Sequence, residues 1–158
     1  MPTLREEIKQ TKPWSSLEEE AALNVVRTAE LLGYRAASVF DGTDLTPTQY
    51  NVLRILRGAG AVGLPCGAIG ERMIRRDSDI TRLMDRLVAG GLVERSRSEE
   101  DRRVVVNTLT PEGRKLLTGL DPQVQAMHRR LLGHLNDTEL KALIRGLERA
   151  REPLVAKE

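Results

Sequence analysis

The chain has 158 residues, only 3% of them aromatic, and a net charge of +2 from 25 lysines and arginines against 23 acids. That length suits one domain with a sizeable core, and no apolar run approaches the ~20 residues of a membrane span. The near-balance of charge does not by itself announce a nucleic-acid partner, and the single cysteine, Cys66, excludes an intrachain disulfide framework and agrees with a reducing compartment.

Met1 to Trp14 is polar, ends in Lys12-Pro13 and lacks the apolar region of a secretion signal, so it reads as an arm and a cytoplasmic location is expected. Ser15 and Ser16, each with a glutamate three residues on, offer two overlapping capping boxes for a long helix from Leu17 to Phe40, closed by Asp41-Gly42. Thr46-Pro47-Thr48-Gln49 repeats the start signal, with Thr46 as N-cap, Pro47 in the first turn and Gln49 reaching back, ahead of Tyr50, Val52, Leu53, Ile55 and Leu56. Gly58 to Gly67, with Pro65, predicts a turn holding a minimal strand around Val62 to Leu64. A short helix from Ala68 to Ile74 and a turn at Arg75-Arg76-Asp77 then predict the first half of a helix-turn-helix.

Ile80, Leu83, Met84, Leu87 and Val88 form one apolar stripe at helical period, leaving Ser78, Asp79, Thr81, Arg82, Asp85 and Arg86 on the other face. Gly90 and Gly91 stop this helix. Leu92 to Ser96 and Val104 to Leu109 read as strands of a hairpin whose tip, Arg97 to Arg103, is built from charge. A short helix followed by such a hairpin describes a winged helix, so the expected fold class is mainly α with a small β-hairpin wing.

Thr110-Pro111 opens a further helix in which Leu117, Leu120, Val124, Met127 and Leu131 alternate spacings of three and four, a coiled-coil-like seam that predicts a partner surface. Pro122 lies inside it and predicts a kink or restart with Asp121 as cap. Asn136 to Glu139 caps a last helix running to about Arg151, with Pro153 beyond its end. The first helix and the last two carry more apolar surface than a small winged helix covers, which points to a homodimer; a monomeric helical cap over the core is the other arrangement. The expected organisation is one domain, 1–158, with a winged-helix DNA-binding core at 45–109 and dimerisation helices in 1–44 and 110–158.

Ser78, Asp79, Thr81 and Arg82 are the candidates for base and phosphate contacts, because recognition helices meet base edges through their N-terminal residues; a solvated helix face is the plain alternative. Arg86, a turn later and near the wing base, is expected to pair with Asp101 or Glu94 and hold the hairpin against the helix. Arg97 and Arg102 either contact phosphates or neutralise Glu99 and Glu100. Between Glu71 and Arg103 there are nine arginines against eight acids, so DNA binding depends on those charges being separated in space. The residues alone therefore leave a second function class open: a winged-helix protein-interaction module without sequence-specific DNA binding.

No catalytic constellation is visible, and neither an enzyme activity nor a cofactor is expected. His128 and His134 do not share a helical face and Cys66 is remote from both, so no metal site is expected.

The strings ITRLMDRL, GGLVER, the Asp-x-Arg of Asp101 to Arg103 and LTPEGRKLL occur in order, preceded by LTPTQYNVLRIL and IGERM. In that order and spacing the chain resembles the multiple-antibiotic-resistance regulator (MarR) family from about Leu17 onward. The resemblance implies a dimeric, sequence-specific DNA-binding transcriptional regulator with a winged helix-turn-helix and long terminal dimerisation helices. It implies a ligand-responsive repressor on double-stranded DNA at a pseudo-palindromic operator, with a small-molecule effector. It also implies that Asp101 orients Arg103, which enters the minor groove. The family's effector pocket lies between the dimer helices and the winged-helix core, near Tyr34, Phe40 and Tyr50, for which ordinary core packing is the alternative. Reactive cysteines in the family usually lie elsewhere, which favours a structural or incidental role for Cys66; a redox sensor, its thiolate stabilised just before a helix, is the alternative.

Overall fold

The computed structural model describes residues 2–75, 79–98 and 101–155. Seven α-helices and one hairpin are present among them: α1 Leu4–Glu7, α2 Leu17–Ala37, α3 Pro47–Ala59, α4 Cys66–Arg72, α5 Ile80–Ala89, β1 Val93–Arg97, β2 Val105–Leu109, α6 Pro111–Leu132 and α7 Asp137–Val155. Short 3₁₀ turns at Ser38–Phe40 and Gly60–Val62 follow α2 and α3.

The helix starts follow local capping chemistry. Ser16 Oγ accepts the Glu19 N–H at 3.2 Å while the Glu19 carboxylate accepts from Ser15 N and Oγ at 2.7 and 2.6 Å. The glutamates of the first turn, Glu18 to Glu20, also complement the positive end of α2. Thr46 and Gln49 form a reciprocal box over α3, with Pro47 in its first turn. Asn136 and Glu139 do the same for α7, at 2.8 to 3.0 Å. Thr110 Oγ1 accepts the Gly113 N–H at 3.0 Å and donates to the Gly91 carbonyl at 2.8 Å, so the cap of α6 is tied to the turn that ends α5. That turn takes its left-handed residue from Gly91, at φ +70°, and not from Gly90.

The strand expected around Val62 to Leu64 contracts to a single bridge. Leu64 and Asn107 exchange both backbone hydrogen bonds, at 3.0 and 2.9 Å, but Val62 lies in a 3₁₀ turn and Pro65 has no N–H to continue a ladder. Pro65 instead serves as the N-cap of α4, which therefore begins and ends two residues earlier than expected. The turn expected at Arg75-Arg76-Asp77 lies outside the described residues beyond Arg75.

One core runs through these elements. It gathers Val52, Leu53 and Leu56 of α3, Ile69 of α4, Leu83, Met84 and Leu87 of α5, Val93 and Leu109 of the hairpin, and Leu117, Leu120, Val124 and Met127 of α6. The α6 seam expected to await a partner is thus buried in its own chain from Leu117 to Met127, with Leu131 half-buried. Helical spacing alone does not say which chain supplies the facing surface. Helix α6 also continues through Pro122 without a restart, and Asp121, expected as a cap, accepts a forked pair of hydrogen bonds from Arg57 of α3 at 2.7 and 3.0 Å. Helix α7 extends to Val155, with Pro153 in its final turns instead of beyond its end. Uncovered apolar residues include Leu23, Val25, Val26 and Leu31 on α2 and Leu143 and Ile144 on α7, besides isolated ones such as Val62 and Ile74.

Two expectations follow. Leu117→Ala empties a fully buried site and should cost about 2–5 kcal/mol in urea unfolding; a loss below ~1 kcal/mol would contradict its place in the core. Arg57 holds the Asp121 carboxyl below the usual carboxylate range, so the pair's contribution exists above the unfolded value near ~3.9 and is lost as pH falls through the lower, folded one. The pair is about a third exposed, at 28% and 33%, and should be worth only ~1 kcal/mol or less. The stability gap between wild type and Asp121→Asn should be constant above about pH 5 and close as pH falls below about 4, read from urea unfolding across pH. A gap unchanged in strong acid would mean that charge plays no part in it.

Candidate nucleic-acid interface

Helix α5 buries Leu83, Met84 and Leu87 and turns its other face outward. Thr81 and Arg82 are exposed in its first turn. Asp79, expected as a contact residue, is the N-cap, and its carboxylate accepts the Arg82 N–H at 3.0 Å. The acid is therefore engaged in capping the start of the helix, which leaves the arginine as the projecting group. Ser78 lies outside the described residues.

The hairpin follows α5 with Val93 opposite Leu109, Arg95 opposite Asn107 and Arg97 opposite Val105. Its tip is held by its own side chains. Arg97 Nη1 donates to the Arg102 carbonyl at 2.6 Å, the Asp101 carboxylate accepts the Arg103 N–H at 2.9 Å, and the Asp101 carbonyl accepts the Val104 N–H at 2.9 Å. Arg102 and Arg103 are exposed on this tip. Arg97, expected as a phosphate contact, holds the turn through Nη1, and Asp101 sets the backbone next to Arg103. Glu99 and Glu100 lie outside the described residues.

The ion pair that fastens the wing to α5 is not the one expected of Arg86. Arg86 is exposed and forms no ion pair among the described residues; Asp85 instead meets Arg95 of β1 at 2.7 Å. Successive helical residues are ~100° apart, and it is the Asp85 direction that points at β1. Arg95 Nε also donates to Asn107 Oδ1 at 3.3 Å. Asn107 is fully buried, and its amide donates to the Leu64 carbonyl at 2.9 Å and to Cys66 Sγ at 3.6 Å. Arg95 and Asn107 escaped the sequence reading, yet a signal was there. Both fall in phase with the apolar residues Val93 and Leu109, and a polar residue on the core face of a strand has to find partners.

The three aromatic candidates for an effector pocket separate. Phe40 and Tyr50 are buried against each other, ring centroids 5.1 Å apart, and belong to the core. Burial pushes the Tyr50 phenol up from its ordinary value. Tyr34 is 77% exposed and lines an open groove of about 670 Å³ with Arg35, Ser38, Asp41, Arg130 and Leu131. No cluster of three or more metal-ligating side chains occurs among the described residues, and no helix there is long and apolar enough to cross a membrane.

A helix-turn-helix whose second helix is followed by a basic-tipped antiparallel hairpin defines a winged-helix DNA-binding protein. Residues 45–105 match the MarR family model. Over 133 residues the chain is 35% identical to the HTH-type transcriptional regulator YfiV of Bacillus subtilis, spanning 84% of this chain and 82% of that one. It is similar to the MarR transcription factor of Planctomyces limnophilus, at 42% identity, 86% of this chain, 98% of that one and a TM-score of 0.65. CouR of Rhodococcus jostii RHA1, solved bound to p-coumaroyl-CoA, is 25% identical over 91% of this chain and all of its own, with a TM-score of 0.75. The chain belongs to the MarR family and is a DNA-binding transcriptional regulator. The alternative of a protein-interaction module without DNA binding gains no support from these relatives.

The assignment of Arg97 to the tip has a measurable consequence. Each phosphate contact contributes ~0.9 to the slope of log affinity against log salt. Arg97→Ala should weaken DNA binding without removing one contact's worth of slope, whereas Arg103→Ala should shrink the slope and weaken binding most on A·T-rich flanks. A full unit lost from the slope of Arg97→Ala would make it a phosphate contact after all.

Proposed function

We propose that the protein is a ligand-responsive repressor acting as a homodimer on a pseudo-palindromic operator. The observation that carries this reading is the outward first turn of α5, with Thr81 and Arg82 exposed, alongside a wing tip that exposes Arg102 and Arg103. Arg82 makes the base contact in the major groove, Thr81 and Arg102 contact the backbone, and Arg103 enters the minor groove. Ser78 joins Thr81 and Arg82 in contacting DNA, and Asp79 acts through its cap. Residues 45–109 form the DNA-reading core, and the segments 1–44 and 110–158 carry assembly. The uncovered apolar residues of α2 and α7 support that assembly, with Leu143 and Ile144 in the contact and the α6 seam left to the core. The effector site is the groove beside Tyr34, where Arg35 and Arg130 supply positive charge at the junction of α2 and α6. A cytoplasmic location follows from this role.

The reading is tested by retardation of the protein's own upstream DNA against a random duplex at stated salt. Footprinting should give two half-sites centred about one helical turn, ~10 bp, apart, and Arg82→Ala should cost ~1–3 kcal/mol and relax preference at one base pair in each half-site. Sedimentation should give a dimer at micromolar concentration, and Ile144→Glu should lower the mass while leaving the far-ultraviolet circular dichroism unchanged. Equal affinity for random and upstream DNA would overturn the regulatory reading, and a monomeric wild type would overturn the assembly.

A further inference from the structure

We propose that α5 and the wing read DNA as one rigid unit, and that the chain Asp85–Arg95–Asn107 makes it so, with Arg95 as a positioning residue. The inference rests on the proposed roles of Arg82 and Arg103 and deepens them.

Arg95 sits at the joint. Its guanidinium reaches Asp85 on α5 at 2.7 Å and, from the same side chain, Asn107 on β2 at 3.3 Å. Asn107 passes the connection inward to Leu64, by its amide and by both backbone hydrogen bonds, and so to the loop that starts α4. That loop lies so close that a Cβ on Gly63, itself at φ +68°, would stand 2.6 Å from the Thr108 methyl and 2.7 Å from the Asn107 carbonyl. Arg97, two residues beyond Arg95 on the same strand, holds the Arg102 carbonyl at 2.6 Å. The wing is therefore tied at its base to both helices of the helix-turn-helix and at its tip to the residue before Arg103. A hinge motion of the wing against α5 has to break Arg95 away from Asp85 or from Asn107.

The Asp85–Arg95 pair itself is weakly stabilising, since its side chains are 55% and 34% exposed and water screens them. Its effect is geometric. With the pair in place the wing is presented at a fixed angle to α5, and Arg103 enters the minor groove without an ordering cost. Without it the wing is free to tilt, and the contribution of Arg103 shrinks. Asp85 lies on α5 and Arg103 at the wing tip, with no partner in common among the described residues, so their substitutions should be additive unless such a connection exists.

The test is a double-mutant cycle read as affinity for one operator with A·T-rich flanks at fixed salt, using Arg95→Ala and Asp85→Ala, each with and without Arg103→Ala. Cooperative thermal unfolding of every variant is checked, and Asp85→Ala, at an exposed helix position, carries the test if Arg95→Ala fails to fold. The fold-loss caused by Arg103→Ala should be at least threefold smaller in either background than in the wild-type protein, and the preference for A·T-rich over G·C-rich flanks should fall with it. Losses that multiply within about twofold would overturn the coupling while leaving the DNA-reading roles intact. An Arg103→Ala that has no effect in the wild-type background would instead remove the wing from DNA reading and the coupling with it.

Discussion

A fully buried polar side chain in a small core is expensive unless each of its groups is satisfied, and Asn107 meets that condition only in the arrangement described above. Its carbonyl needs Arg95, its amide needs Leu64 and Cys66, and its backbone needs Leu64 again. These partners come from the other strand of the hairpin and from the loop and first residue that open α4. Satisfying one side chain therefore fixes where the wing sits against the helix-turn-helix. It also explains why the loop before α4 is pressed against β2 so closely that Gly63 has no room for a side chain.

The same economy resolves how a nearly neutral segment presents a basic surface. Four of the eight acids of the motif carry internal tasks. Asp79 caps α5, Asp85 holds Arg95, Asp101 orders the tip and Glu94 accepts from Thr108 across the hairpin. Two of the arginines, Arg95 and Arg97, hydrogen-bond through their side chains within the hairpin, while Arg82, Arg86, Arg102 and Arg103 are exposed without such a bond among the described residues. Net charge counted along the chain hides this sorting, because it does not say which side chains are held by partners and which are left to meet a phosphate.

The features legible in the sequence are those set by a few neighbouring residues. The caps at Thr46, Thr110 and Asn136, the stripe of α5 and the hairpin all emerge from local spacing, and the observed strands lie within a residue of expectation. What escaped depends on direction in space. An alternation of three and four along α6 looks the same whether α3 or another chain faces it. The choice between Asp85 and Arg86 as the brace of the wing is a rotation of one residue, which no count of charges resolves. Asp121 reads as a cap beside Pro122 until Arg57, 64 residues away in sequence, is brought to it. The family resemblance gathers Tyr34, Phe40 and Tyr50 at one junction, yet the structure sends one outward and two into the core.

Helices α2 and α7 have no residue that their own chain buries completely, although they run for 21 and 19 residues. Most helical stability in proteins comes from tertiary packing of an apolar face and not from propensity. Within their own chain these two helices bury little, so their amide protons should open to solvent at less free-energy cost than those around Met84 and Leu117. Whatever covers those helices lends them most of their protection, so slow amide exchange along α7 is a gauge of its occupied face, legible residue by residue even when the core gives no sign of change.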